Sequence, residues 1–129
     1  MKPPVILSLP WPPSANHAWI MVNNKPIPSP KTRKFRKAVR EIVEREACVG
    51  AYPEQKVSVT IIENPPDRRV RDIDNPIKSL LDALTKSGLW GDDRQIDELT
   101  VRRGTVVKGG EVKILAFEIE GKDDNSRTQ

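Results

Sequence analysis

The chain of 129 residues is the size of one ordinary domain and too short for two independent cores. With 36% hydrophobic and 31% charged residues and a net charge of +4, a core is possible but thin for a monomer. No stretch approaches the roughly 20 apolar residues of a membrane span, and one cysteine (Cys48) and one histidine (His17) exclude an internal disulfide and Cys- or multi-His zinc sites. We therefore expect a soluble, cytoplasmic protein whose chemistry rests on carboxylates.

The first half of the chain predicts one strand, one long loop and one helix. Residues 5–9 form a short apolar run ended by prolines, which indicates a strand. Residues 10–30 are punctuated by prolines, contain the turn signal Asn23-Asn24, and are expected to form a long loop. Ser29 and Pro30 then provide an N-cap and a first helical residue, and the helix is predicted to run to about Cys48.

The second half predicts a strand, a helix and two further strands. Residues 56–63 alternate apolar and polar, and the helix that begins near residues 75–76 is closed by Gly88. Strands are predicted over 98–107 and 111–120, joined by a hairpin at 108–110, before a disordered tail over 121–129. The order β-α-β-α-β-β predicts a single α+β domain over residues 1–120, with a mixed sheet packed by two helices.

The positive charge is concentrated in one segment. Residues 25–40 contain seven basic residues and no acidic one, so the remainder of the chain is net acidic. A local cluster of this kind is typical of a surface that follows a phosphate backbone, although a merely solvated helix face fits it equally well. The candidate DNA contacts here are Lys31, Arg33, Lys34 and Lys37.

Four residues form a candidate catalytic group. If residues 71–75 are extended, the side chains of Asp72 and Asp74 project to the same side and can share a cation. Oxygen ligands favour Mg²⁺ or Mn²⁺, and a fold that returned Asp93 to this point would complete an open metal site. Lys78 lies one helical turn beyond Asp74, where it could hold the scissile phosphate or stabilise the leaving oxygen.

Each of these residues also has an ordinary structural explanation. An Asp-x-Asp pair most often caps a helix or lies in a turn. Asp92 and Asp93 could start a helical turn with Arg94, and Lys78 could simply pair with Asp82 four residues on.

Taken together, these segments resemble the RusA family of Holliday junction resolvases. The resemblance is carried by residues 9–16 (LPWPPSAN), 66–75 (PDRRVRDIDN) followed by Lys78, 82–93 (DALTKSGLWGDD) and 108–110 (KGG). It extends from about residue 6 to 120. The sequence departs from the expected pattern at Pro76-Ile77, where proline in a first helical turn is tolerated.

The resemblance implies a Mg²⁺-dependent, homodimeric crossover junction endodeoxyribonuclease that cuts four-way DNA junctions by paired symmetric nicks in recombination and repair. Mn²⁺ is expected to substitute for Mg²⁺. The family's catalytic, metal-binding aspartates correspond to Asp72, Asp74 and Asp93, and its catalytic lysine corresponds to Lys78. Arg71, just before the first aspartate, corresponds to a basic DNA-contacting residue, and we group Arg69 with it.

Two other interpretations remain open at this point. One is a non-catalytic DNA-binding protein that uses the basic segment, and the other is a nuclease selective for forks or flaps. Three aspartates beside arginines argue against a pure phosphate binder, because each carboxylate repels the DNA backbone.

Overall fold

The computed structural model describes residues 3–120, and the predicted tail over 121–129 lies outside the described residues. Within residues 3–120, six strands and two helices follow one another, with short 3₁₀ turns at Ala15–His17 and Asp93–Gln95. The elements are β1 (Val5–Pro10), β2 (Trp19–Val22), β3 (Lys25–Pro28), α1 (Pro30–Arg45), β4 (Val57–Asn64), α2 (Ile77–Lys86), β5 (Ile96–Arg103) and β6 (Glu111–Glu118).

Four strands form one mixed sheet in the order β1-β6-β4-β5. β6 runs antiparallel to both β1 and β4, whereas β4 and β5 are parallel and are connected through α2. This arrangement confirms the predicted α+β class with a mixed sheet and two helices. The predicted hairpin between the last two strands is wrong, because β4 lies between β5 and β6. Parallel pairing through a crossover helix leaves no local turn signal, and the Gly109-Gly110 turn ends a longer connection instead.

We expected residues 10–30 to form a long loop, and this prediction is wrong for residues 19–28. β2 and β3 pair antiparallel into a separate hairpin. Asn23 and Asn24 have φ angles of 51° and 63°, as the two central residues of a tight hairpin turn require. Pro26 and Pro28 obscure the strand in the sequence, since proline is tolerated only where no ladder bond is needed.

Both helices pack on one face of the four-stranded sheet. Ser29 caps α1 by accepting a hydrogen bond from the Thr32 amide. α1 ends at Arg45 rather than near Cys48, because Ala47 takes a left-handed φ of 56°. The fully buried core residues include Val39 and Val43 of α1, Leu80, Ala83 and Leu84 of α2, Val57, Val59 and Ile61 of β4, and Val112 and Ala116 of β6.

The other face of the sheet is not covered by either helix. All strand residues of the buried core lie on the helix-facing side, and Ile6 and Phe117 on the opposite side are 69% and 40% exposed. Among residues 3–120, no helix has the length and apolar character needed to cross a bilayer.

Candidate active site

The chain between β4 and α2 carries the first two predicted aspartates. We assumed an extended chain over residues 71–75, but residues 73–76 form a turn. In this turn the amide of Asn75 donates to the carbonyl of Asp72, and the amide of Ile77 donates to the carbonyl of Asp74. Both aspartates are exposed. Among the described residues, neither carboxylate enters a hydrogen bond or an ion pair. The turn therefore uses the backbone of this segment and leaves both carboxylates free for a ligand.

Lys78 joins α2 to the turn that precedes β5. Its Nζ lies 3.2 Å from Asp82 Oδ1 and 3.3 Å from Asp93 Oδ2. The neighbouring charge and hydrogen bond of Asp82, followed by those of Asp93, raise the pKa of Lys78 above its ordinary value. The fold thus brings two of the predicted catalytic residues together, and the expected Lys78–Asp82 pair is also present.

The adjacent acidic residues Asp92 and Asp93 have different roles. Asp92 caps the 3₁₀ turn and forms a capping box with Gln95, and the amide of Arg94 holds its pKa below the ordinary value. Gln95 is buried and fixes this turn by donating from Nε2 to the carbonyl of Tyr52. Asp92 is therefore the structural member of the pair, whereas the side chain of Asp93 is directed to Lys78.

Glu63, the penultimate residue of β4, lies beside this site and was not predicted from the sequence. Only 3% of the residue is exposed, and its Oε2 atom has no hydrogen-bond partner within residues 3–120. Burial raises its pKa to about 7; the charge of Arg103 opposes this shift and the charge of Asp74 adds to it. The missed signal was the alternation itself, because Glu63 continues the buried positions Val59 and Ile61 along β4.

Arg103, also missed, pairs with Glu63 across the parallel strands and donates a hydrogen bond to the carbonyl of Arg71. It thereby links the end of β5 to the segment that carries Asp72. The residue could not be found from the sequence because its position depends on the β4–β5 register.

The donor chemistry around the 72–76 turn fits a hard divalent cation. Asp72, Asp74 and Glu63 offer only oxygen atoms, and the Glu63 Oε2 atom is buried without a partner. No three His, Cys, Asp or Glu residues within the described range form a ready-made metal cluster. A cage of that kind is not needed for Mg²⁺, which proteins usually hold through one or two carboxylates together with water and substrate phosphates.

A groove of about 530 Å³ connects the basic face of α1 to the arginines before the 72–76 turn. Lys31 and Lys34 line one side, and Arg69 and Arg71 line the other. Trp11 forms part of the wall, with the Arg71 guanidinium carbon 5.9 Å from the centre of its ring. The structure therefore brings four of the six predicted DNA contacts to one groove.

The remaining two predicted contacts, Arg33 and Lys37, lie outside the lining of this groove. Arg33 Nη1 donates to the carbonyl of Pro28, so its guanidinium also holds the β2–β3 hairpin against α1. Lys37 is exposed one turn beyond Lys34.

Asp67 orders the two arginines of the groove. Its carboxylate accepts from Arg69 Nη2 at 3.0 Å and pairs with Arg71 Nη2 at 2.8 Å. Hydrogen bonds from Arg69, with a further one from Arg71, lower the pKa of Asp67 to about 2. Because Arg71 also donates to the Asp67 carbonyl, the segment leading to Asp72 is held by a closed set of contacts.

Comparisons with known proteins agree with the resemblance seen in the sequence. A family model described as "Endodeoxyribonuclease RusA" matches residues 10–115. The chain belongs to the RusA endodeoxyribonuclease family. The predicted family membership is thus confirmed, and the matched range contains every candidate site residue named above.

Individual RusA relatives match over nearly their whole length. The chain is 38% identical over 112 residues to the crossover junction endodeoxyribonuclease of Enterobacteria phage HK97, covering 87% of this chain and 92% of that protein. It is 36% identical to the enzyme of Enterobacteria phage 82 over 115 residues and 34% identical to that of Escherichia coli K12 over 113 residues, covering 88% of this chain and 93% of each relative.

Proposed function

We propose that this RusA-family chain is a crossover junction endodeoxyribonuclease that resolves four-way DNA junctions. The observation that supports the proposal most is that the exposed, unpaired carboxylates of Asp72 and Asp74 directly follow Arg71, which lines the basic groove. Lys78, on the helix that begins after this turn, and its partner Asp93 would supply the remaining catalytic groups. The relatives named above are crossover junction endodeoxyribonucleases, which supports the assignment.

The proposed site uses a divalent cation, most simply Mg²⁺ with Mn²⁺ as a substitute. Asp72 and Asp74 would hold it, with Asp93 as the third ligand once it is released from Lys78. When bound, such a cation would polarise a phosphoryl oxygen and lower the pKa of water, so that hydroxide is available as the nucleophile near neutral pH. The carboxylates direct the cation to the phosphate, which two exposed aspartates would otherwise repel.

Lys78 has a separate task in this proposal. Without a cation, its ammonium group pairs with Asp82 and Asp93, and its raised pKa keeps it charged. Asp82 would keep the ammonium in place once Asp93 turns to the cation. A fixed positive charge beside the scissile phosphate stabilises the negative charge that develops on the leaving oxygen. Asp82 positions the ammonium group in this scheme and does not itself contact the DNA.

The groove lined by Lys31, Lys34, Arg69 and Arg71 would bind the phosphate backbone next to the cut. Because Arg71 directly precedes Asp72, its contact would hold the DNA backbone immediately next to the proposed metal ligands. Asp67 keeps both arginines in place while leaving 81% of the Arg69 side chain exposed. Such contacts supply affinity and position the strand without reading its sequence.

We further propose that two chains act as a symmetric dimer. A four-way junction has approximate twofold symmetry, and its resolution requires two opposed nicks, so each protomer supplies one site. The open sheet face with Ile6 and Phe117, and the exposed apolar residues of β2 such as Met21, offer surface that a partner would cover. Because the substrate is DNA, we place the enzyme in the cytoplasm.

The experiment compares three DNA substrates under matched conditions. The purified chain is incubated with a mobile four-way junction, a replication fork and a linear duplex, each with Mg²⁺ or with EDTA. We expect cleavage of the junction in Mg²⁺ only. Preferential cutting of the fork would favour the fork-selective alternative, and binding without any cleavage would favour the non-catalytic one.

A further inference from the structure

Glu63 is an ionisable side chain in a place where ordinary packing would favour an apolar one. Its position in β4 faces the helices, where Val59 and Ile61 are fully buried, and it is 3% exposed. Among the residues that the structure describes, its Oε2 atom has no hydrogen-bond partner and its carboxylate enters no ion pair. Burying a carboxylate without a partner is costly, so the oxygen is suited to a ligand that the chain itself does not supply.

Glu63 also lines a cavity beside the 72–76 turn. It lines this space of about 480 Å³ together with Asp72, Trp11 and Arg103, and the lining also includes Asp67, Arg68, Arg69 and Arg71. Asp67 pairs with Arg69 and Arg71, so these two guanidinium groups are engaged by another carboxylate. Arg103 does not satisfy the carboxylate, since its Nη2 donates to the carbonyl of Arg71. The cavity therefore opens directly beside the proposed catalytic turn.

Asp74 adds a second negative charge near Glu63. Its charge contributes to the raised pKa of Glu63, after the larger effect of burial, so the two carboxylates lie within electrostatic reach of each other. Two carboxylates that repel each other are both stabilised by a divalent cation between them.

We propose that Glu63 is a further carboxylate ligand of the divalent cation, reaching from β4 toward the turn that carries Asp72 and Asp74. This inference rests on the proposed function and deepens it by adding a ligand from the sheet. A ligand on a strand is fixed more rigidly than one on a turn, which suits a residue that places the cation before DNA arrives.

The test measures metal binding without DNA and without turnover. Mn²⁺ is titrated into the full-length protein by calorimetry at pH 8, using wild type, Glu63→Gln, Asp74→Asn and the control Glu98→Gln. Glu98 is exposed on β5, and its substitution removes one negative charge away from the cavity. We expect Glu63→Gln and Asp74→Asn each to weaken Mn²⁺ binding about tenfold or more, with the control unchanged.

The outcomes separate this inference from the proposed function. If Asp74→Asn weakens Mn²⁺ binding and Glu63→Gln does not, Glu63 is no ligand, while junction cleavage by the wild type can still stand. Absence of saturable Mn²⁺ binding to the wild type also overturns the inference. If the wild type binds Mn²⁺ through Glu63 but cuts no branched DNA, the proposed function fails and the metal site remains.

Thermal unfolding guards against a misfolded variant. In EDTA at pH 8, Glu63→Gln should be at least as stable as the wild type, because it removes an unpaired buried charge, and the rise in Tm on adding Mn²⁺ should be lost. A destabilised variant with an unchanged Mn²⁺-induced rise would instead assign Glu63 a structural role and overturn the inference. If Glu63→Gln does not fold, Glu63→Asp, which withdraws the oxygen by one methylene, replaces it in both measurements.

Discussion

The charged side chains are paired on one side of the candidate active site and unpaired on the other. On the α2 side, the ammonium of Lys78 is paired with Asp82 and Asp93 by the fold itself. On the β4 side, Glu63 is buried without a partner for Oε2, and Asp74 makes no hydrogen bond or ion pair within the described chain. The chain itself neutralises the charge of Lys78, whereas the carboxylates on the β4 side remain available to bind a cation.

The largest expected effect concerns the carboxylates. Asp72→Asn, Asp74→Asn and Asp93→Asn should each lower junction cleavage in Mg²⁺ by orders of magnitude, because each removes a charged ligand oxygen while preserving side-chain size. Junction binding in EDTA should hold or tighten, since a charge that repels the backbone is lost. Gel-shift and cleavage assays on the same preparations make the comparison. A folded Asp74→Asn protein that cuts at nearly the wild-type rate would remove the proposed site.

Substitution of Lys78, on the paired side, should affect cleavage and DNA binding differently from the asparagine variants. Lys78→Ala should slow cleavage by about 10²–10³-fold, the usual effect of removing one preorganised electrostatic stabiliser. Unlike the asparagine variants, it should not tighten DNA binding in EDTA, because it removes a positive charge. Lys86→Ala, at the far end of α2, serves as the matched control. Equal cleavage by both lysine variants would contradict the role given to Lys78.

On the unpaired side, Glu63 should make the free energy of unfolding depend on pH. Burial raises the pKa of Glu63 from 4.5 to about 7, so the folded state binds this proton more tightly than the unfolded state does. The resulting stabilisation is complete below about pH 4.5 and is lost as the pH rises to about 7. It amounts to about 3 kcal/mol in the free energy of unfolding.

Urea unfolding in EDTA at pH 5 and pH 8 measures this difference. Glu63→Gln, which does not titrate, should lose the decrease that the wild type shows over this interval. An equal pH dependence in both proteins would show that Glu63 does not account for it.

The smallest expected effect concerns the basic groove. Replacing Lys31 and Lys34 together by alanine should lower the slope of log affinity against log salt by about 1.8, or ~0.9 for each lost phosphate contact. The control replaces Lys37 and Arg40, which are exposed on α1 but do not line the groove. If the two double variants reduce the slope equally, the groove has no special role and the whole helix face contributes.

The sequence predicted the elements better than their arrangement. The N-cap at Ser29 and the Gly88 that closes the second helix depend on local chemistry, and both predictions are confirmed. The place of β4 between β5 and β6 depends on long-range pairing, which has no local signal. The β2–β3 hairpin was obscured by prolines, although Asn23-Asn24 marked its turn.

The candidate site shows the same division. Local motifs drew attention to Asp72, Asp74 and Lys78, and the fold supplied the contact of Lys78 with Asp93. Glu63 could have been identified as an acidic residue at a buried position of a strand. Its proximity to Asp74 and Arg103 could not, because the sheet register and the turn after β4 bring them together.

Mapping the nicks in a mobile four-way junction tests the central claim most directly. Each strand is labelled in turn, and the wild type is compared with Asp74→Asn in Mg²⁺ and in EDTA. We predict that the wild type in Mg²⁺ makes two nicks on opposed strands at symmetric positions and yields products that ligase can seal, and that the variant and the EDTA reactions leave the junction intact. Unpaired nicks, cleavage of linear duplex at the same rate, or paired nicks in EDTA would contradict the account.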